Sequence, residues 1–75
     1  MRIENERQMP VSQIREGCPV WCFNDDWVRA EYDPDEDHWV IQQKFWTNPK
    51  KTIKRWVFID TVATEADIRP FIEAM

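Results

Sequence analysis

Residues 38–60 constrain this chain more than any other stretch. They read His-Trp-Val-Ile-Gln-Gln-Lys-Phe-Trp, then Thr-Asn-Pro-Lys-Lys-Thr, then Ile-Lys-Arg-Trp-Val-Phe-Ile-Asp. Two runs rich in aromatic and β-branched residues flank a short polar segment with Asn48 and Pro49. That pattern is a β-hairpin: two antiparallel strands joined by a turn. A four-residue and a five-residue loop both fit, and each pairs different residues. In either register both faces carry apolar side chains. Trp39, Ile41 and Phe45 alternate with Val40 and Trp46; Ile53, Val57 and Ile59 alternate with Trp56 and Phe58. A strand that is apolar on both sides has both sides covered, or one side is a contact surface.

A chain of 75 residues makes one small domain. It buries only about 60–65% of its unfolded surface, so the core depends on large side chains. Five Trp, four Phe and one Tyr supply them. Glycine occurs once, at Gly17, which sets the chain apart from linkers and disordered tails. No apolar run approaches the roughly 20 residues that span a bilayer, and none follows Met1 as a signal peptide would require. A cytoplasmic location is the expectation.

Cys18 and Cys22 sit four apart. On one strand their Cα atoms stand about 13 Å apart, and a disulfide needs less than about 7 Å. Reduced, unlinked thiols are expected. With His38 as the one histidine, no Cys/His set for tetrahedral zinc exists, and neither metal nor cofactor is expected.

The net charge of −4 hides a segregation. Residues 18–43 carry Asp25, Asp26, Glu31, Asp33, Asp35, Glu36 and Asp37 against Arg29; residues 44–56 carry Lys44, Lys50, Lys51, Lys54 and Arg55 with no acid. The chain has an acidic stretch and a basic hairpin tip.

Residues 1–10 read as a loosely ordered N-terminal arm, and residues 11–75 as a single small β-barrel domain. Val11 to Gly17 suits a helical turn, capped by Ser12 and ended by Gly17. Strands are expected at 18–24, 27–33, 38–47 and 52–60. Alternation groups Cys18, Val20 and Cys22 against Trp21 and Phe23, then Val28, Ala30 and Tyr32 against Trp27, Arg29 and Glu31. Asn24-Asp25-Asp26 is a turn by composition, and Asp33 to Asp37 a loop stiffened by Pro34. Thr64 can cap a helix whose apolar stripe is Ile68, Phe71, Ile72 and Met75. Pro70 interrupts it. Either a helical turn ends near Arg69 and Phe71-Ile72 form a strand, or Pro70 starts a second short helix.

Short strands in meander order with one late helical turn look like an SH3-like small antiparallel barrel. Glu16-Gly17-Cys18-Pro19-Val20-Trp21 resembles the opening "acid-Gly-x-x-Val" strand of Tudor and Agenet domains. Trp27-Val28-Arg29-Ala30-Glu31-Tyr32 resembles their "Trp-x-x-Ala-x-Val" second strand, and Asp67-Ile68-Arg69-Pro70 their closing "Asp-Leu/Ile-Arg-Pro" turn. The resemblance implies peptide binding, often of methylated Lys or Arg, in an aromatic cage on the side of Phe23 and Trp27. This chain departs from the pattern in its longer third and fourth strands and their basic tip.

Three candidate sites follow. A cage needs several rings around a cation with an acid nearby, and Phe23, Trp27, Asp25 and Asp26 are the candidates. The bland alternative is that the aromatics pack a core or a dimer seam. The hairpin offers Lys44, Trp46, Lys50, Lys51, Lys54, Arg55 and Trp56 for phosphate contacts and base stacking; alternatively it is a solvated edge on which Lys discourages strand pairing. The acidic run Asp33 to Asp37 lacks calcium-loop spacing, but suits a basic protein surface. No triad spacing involves His38, and no pair of acids is marked for acid/base chemistry, so an enzyme is not expected.

The expectation is therefore a non-enzymatic protein-interaction module. It binds a basic or extended peptide through an aromatic face flanked by acids. The alternatives are a nucleic-acid-associated protein using the basic hairpin and a small acidic inhibitor of the kind mobile elements encode. The surplus of aromatics also points to a homodimer.

Overall fold

The computed structural model describes residues 1–9 and 17–75. Five strands run β1 (Arg7–Met9), β2 (Val20–Phe23), β3 (Val28–Asp33), β4 (His38–Trp46) and β5 (Lys54–Val62). They pair antiparallel in chain order, with β1 and β5 as the edges of an unclosed sheet. A 3₁₀ turn (Glu65–Asp67) leads into one short helix, α1 (Ile68–Glu73). The fold is mainly β, and of the barrel and the meander it is the open meander. No helix among the described residues is long and apolar enough to cross a membrane.

Strands β2 to β5 lie where alternation places them, trimmed or shifted by one or two residues. β1 comes as an addition, within the segment read as a loose arm. Its Arg-Gln-Met shows no strand pattern and is recruited by backbone pairing, Arg7 to Cys22 and Met9 to Val20. The residues before it strap the β2–β3 turn. The Asn24 amide donates to the Glu4 carbonyl at 2.7 Å, and the Glu4 amide donates to Asn24 Oδ1 at 2.7 Å. The helical turn expected at Val11 to Gly17 lies outside the described residues except for Gly17, which takes φ +79°.

The β2–β3 turn has three successive residues at positive φ: Asn24, Asp25 and Asp26. Asn and Asp bear the left-handed region best among non-glycine residues, because their short polar side chains bond locally. In the β4–β5 hairpin, the Thr47 amide donates to the Ile53 carbonyl at 2.9 Å, so Asn48 to Thr52 form a five-residue loop. Asn48 Oδ1 accepts from the amides of Thr52 and Ile53. That fixes the register that the sequence leaves open: Lys44 opposite Trp56 and Trp46 opposite Lys54.

A bulge interrupts this pairing between Ile41 and Gln42, whose partners are Asp60 and Phe58. Ile59 is the extra residue. A bulge resets the strand's phase, so Ile59 and Val62 both pack on the same core. That core lies between the sheet and α1. Phe23, Val28, Ala30, Trp39 and Ile41 meet Ile68 and Ile72 of the helix. Pro70 is the third residue of α1, within the first turn, where its missing N–H has no intrahelical partner to lose. Phe71 and Ile72 thus stay helical and form no strand. Asp67 accepts bonds from the Thr64 amide and hydroxyl, which closes the helix entry. Trp21 Nε1 donates to Glu65 Oε1 at 2.8 Å and ties that entry to β2.

Candidate functional site

The other face of the sheet carries the polar chemistry. Alternation and register put Cys22 of β2, Arg29 and Glu31 of β3, Val40, Gln42, Lys44 and Trp46 of β4, and Lys54, Trp56 and Phe58 of β5 on this side. Asp26, at the end of the β2–β3 turn, reaches over it. Its carboxylate accepts from Arg29 Nε at 3.1 Å, from Arg29 Nη2 at 3.2 Å and from Lys44 Nζ at 3.3 Å. Arg29 Nη1 stands 3.8 Å from Glu31 Oε1, and Glu31 is fully buried. One carboxylate on the turn and one on β3 thus share a guanidinium.

Burial disfavours the charge on Asp26, but hydrogen bonds from Arg29, Cys22 and Lys44 outweigh it and hold its carboxyl at about 2. Burial pushes the Cys22 thiol up, and its hydrogen bond to Asp26 adds to that. The thiol also lies 3.4 Å from Met9 Sδ. A buried thiol kept protonated is a poor nucleophile. Cys18 and Cys22 are both free.

The same cations are laid on indole rings. The Arg29 guanidinium carbon is 4.2 Å from the centroid of Trp56, and Lys44 Nζ is 5.0 Å from it. Trp27 and Trp46 meet with centroids 5.5 Å apart and planes tilted 59°. Lys54 Nζ sits 5.2 Å from each of those two centroids. Cation–ring contacts are worth about 0.5–1 kcal/mol where exposed, as at Lys54, and about 2 kcal/mol where desolvated. Trp46, at the hairpin end of this row, is 40% exposed, and Phe58, further along β5, is 61% exposed.

The expected cage residues separate. Phe23 is 1% exposed and belongs to the helix-side core. The reason is register: Phe23 pairs with Val28 and shares its face, so it points away from Trp27. Asp25 is exposed and accepts from Asn5 Nδ2 at 2.9 Å, on the N-terminal side of the turn. Asp26 and Trp27 remain on the polar face, joined there by Trp46. The hairpin set separates as well. Lys44, Trp46, Lys54 and Trp56 share the polar face, Arg55 pairs with Phe45 on the helix side, and Lys50 and Lys51 lie in the loop.

Arg29 and Glu31 were not singled out as site residues, although alternation groups them with Trp27. The contact of Arg29 with Trp56 depends on the hairpin register, which no local pattern sets. In the β3–β4 loop, the Tyr32 hydroxyl donates to Asp37 Oδ1 at 2.6 Å, and that bond raises the phenol. His38 Nε2 faces Asp33 at 3.8 Å. Among the described residues no three His, Cys, Asp or Glu side chains group as metal ligands. Comparison of the chain with protein-family models, with curated proteins and with solved structures finds no match.

Proposed function

We propose that this chain is a non-enzymatic protein-interaction module that takes a basic or extended segment on the Trp27–Trp46 face. The observation that carries this reading is Lys54: two indoles already hold an ammonium between them, and one of them, Trp46, is 40% exposed. Rings that hold a tethered cation can hold a foreign one. The likeness of residues 16–71 to Tudor and Agenet domains supports the same reading. It also implies an SH3-like fold, here with the sheet left open, and a methylated Lys or Arg as ligand. The cage side is then Trp27 with Trp46, and Phe23 lies behind it in the core. Two free cysteines suit the cytoplasm.

The nucleic-acid alternative draws less support. Lys44 is held by Asp26, Lys54 lies on the rings, and Arg55 is on the opposite side of the ribbon. A phosphate backbone would meet few free cations on any one surface.

Titration with a lysine-rich peptide and its trimethyl-lysine form, followed by the indole N–H resonances, is the test. Trp27 and Trp46 signals are expected to move. Lys54→Ala should tighten binding several-fold, because no tethered ammonium competes. Indole signals that stay in place at millimolar peptide would remove the cage from this reading.

A further inference from the structure

β5 is the one long edge among the described residues. The opposite edge, β1, has three residues and β5 has nine. Natural sheets guard long edges with Pro, central Lys or cover. From Trp56 to Ile59 the edge reads Trp-Val-Phe-Ile, with neither Pro nor charge, and Phe58 at its middle is exposed. Among the described residues, what guards this central stretch is the bulge at Ile59, and the charges of Lys54, Arg55 and Asp60 lie at its ends.

The edge also carries opposite charges at its two ends. Lys54 and Arg55 open it, next to Lys50 and Lys51 in the loop. Asp60 lies near its far end. There β5 pairs with the start of β4, just after the acidic loop of Asp33, Asp35, Glu36 and Asp37. Arg55 and Asp60 stand roughly 16 Å apart along the strand, about twice the Debye length at physiological salt. The two ends therefore act as separate poles. A strand with opposite poles complements a second copy of itself laid antiparallel, and repels one laid parallel.

We propose that two copies pair through β5 about a two-fold axis, joining their sheets into one. An axis perpendicular to the sheet passes between a residue and its own mate. Facing selects which residue. Centred on Val57, Trp56 lies opposite Phe58 of the second copy, both on the polar face. Arg55 lies opposite Ile59, with Asp60 beside it on the helix side because of the bulge. Centred on Phe58, Trp56 would meet Asp60 from the wrong face. Centred on Trp56, Arg55 would miss Asp60 altogether. The Val57 register alone satisfies both the poles and the faces, and it covers Phe58. The pairing does not rest on the cage reading: it uses the β5 backbone and the Arg55 and Asp60 charges, and of the cage contacts only Lys54 belongs to this strand.

Sedimentation equilibrium on the full chain with Arg55→Glu, Asp60→Lys and their mixture tests it. Arg55 and Asp60 are exposed, and dispersed amide NMR spectra serve as the folding control. The unmodified chain is expected to run between its 9.2 kDa monomer and twice that mass. Each single reversal sets like charges together at both ends of the seam and should weaken pairing by about tenfold or more. An equimolar mixture restores opposite charges at both ends and should recover the dimer, as should the double reversal within one chain. A monomer at every concentration overturns the proposal. So does a dimer indifferent to both reversals, or a mixture that fails to recover.

Discussion

The two faces of the sheet solve burial in different ways. The buried core on the helix side is apolar: Ile41, Ile68 and Ile72 are sealed, and their value is area removed from water. The opposite side buries Glu31 completely and Arg29 to 13% side-chain exposure, inside a network with Asp26, Lys44 and Trp56. Buried charges persist only when paired and bonded, and breaking such a pair costs more than the pair contributes. The difference teaches that the first face can be repacked with any well-fitting hydrocarbon, whereas the second is specified atom by atom. Function is therefore sought on the second.

The contrast can be broken at its strongest point first. Ile72→Ala removes a sealed side chain between helix and sheet, and should destabilise by about 2–5 kcal/mol in urea unfolding. For a domain this small that is a large share of its stability. Ile72→Leu should cost under about 1.5 kcal/mol, since the face is read by volume. Arg29→Met keeps most of the side chain's bulk but removes the guanidinium that Asp26 and Glu31 share. A loss of about 2–4 kcal/mol is expected by the same measurement, and equal stability would show that the face tolerates hydrocarbon too.

Acid sharpens the comparison next. The Asp26 carboxyl is lowered from 3.8 to about 2 in the folded chain, so the folded state favours the carboxylate. Its contribution, about 2 kcal/mol, is fully present above about pH 4 and fades as pH falls toward 2. Asp26→Asn should lose that amount at neutral pH and flatten the acid limb between pH 4 and 2. Because Asp26 and Arg29 act as a unit, the double variant should lose less than the two losses added. The smallest effect is expected from Lys54→Ala, under about 1 kcal/mol, because its ammonium lies on an exposed ring.

Local pattern goes far toward the fold and stops short of the site. Period-2 alternation in Val20-Trp21-Cys22-Phe23 and Val28-Arg29-Ala30-Glu31 already sorts the two faces. Thr64 and the Ile68/Ile72 spacing mark the helix. β1 is illegible because its order comes from a neighbour's free backbone groups rather than from its own side chains. The bulge at Ile59 is illegible for a related reason: it is demanded by what Ile59 and Val62 must both reach. The resemblance to Tudor and Agenet domains puts Phe23 on the cage side with Trp27, yet the turn of Asn24, Asp25 and Asp26 leaves the two on opposite sides. Arg29 meets Trp56 across 27 positions of sequence, a contact made by register alone.

The Trp27–Trp46 pair has an optical consequence. Two indoles with centroids 5.5 Å apart and planes tilted 59° couple their strong ultraviolet transitions. The circular dichroism of such a pair is a couplet, two bands of opposite sign laid over the backbone signal. A spectrum of this protein interpreted through its backbone alone would misstate its sheet content. The same couplet reports, without any label, whenever Trp46 leaves its neighbour.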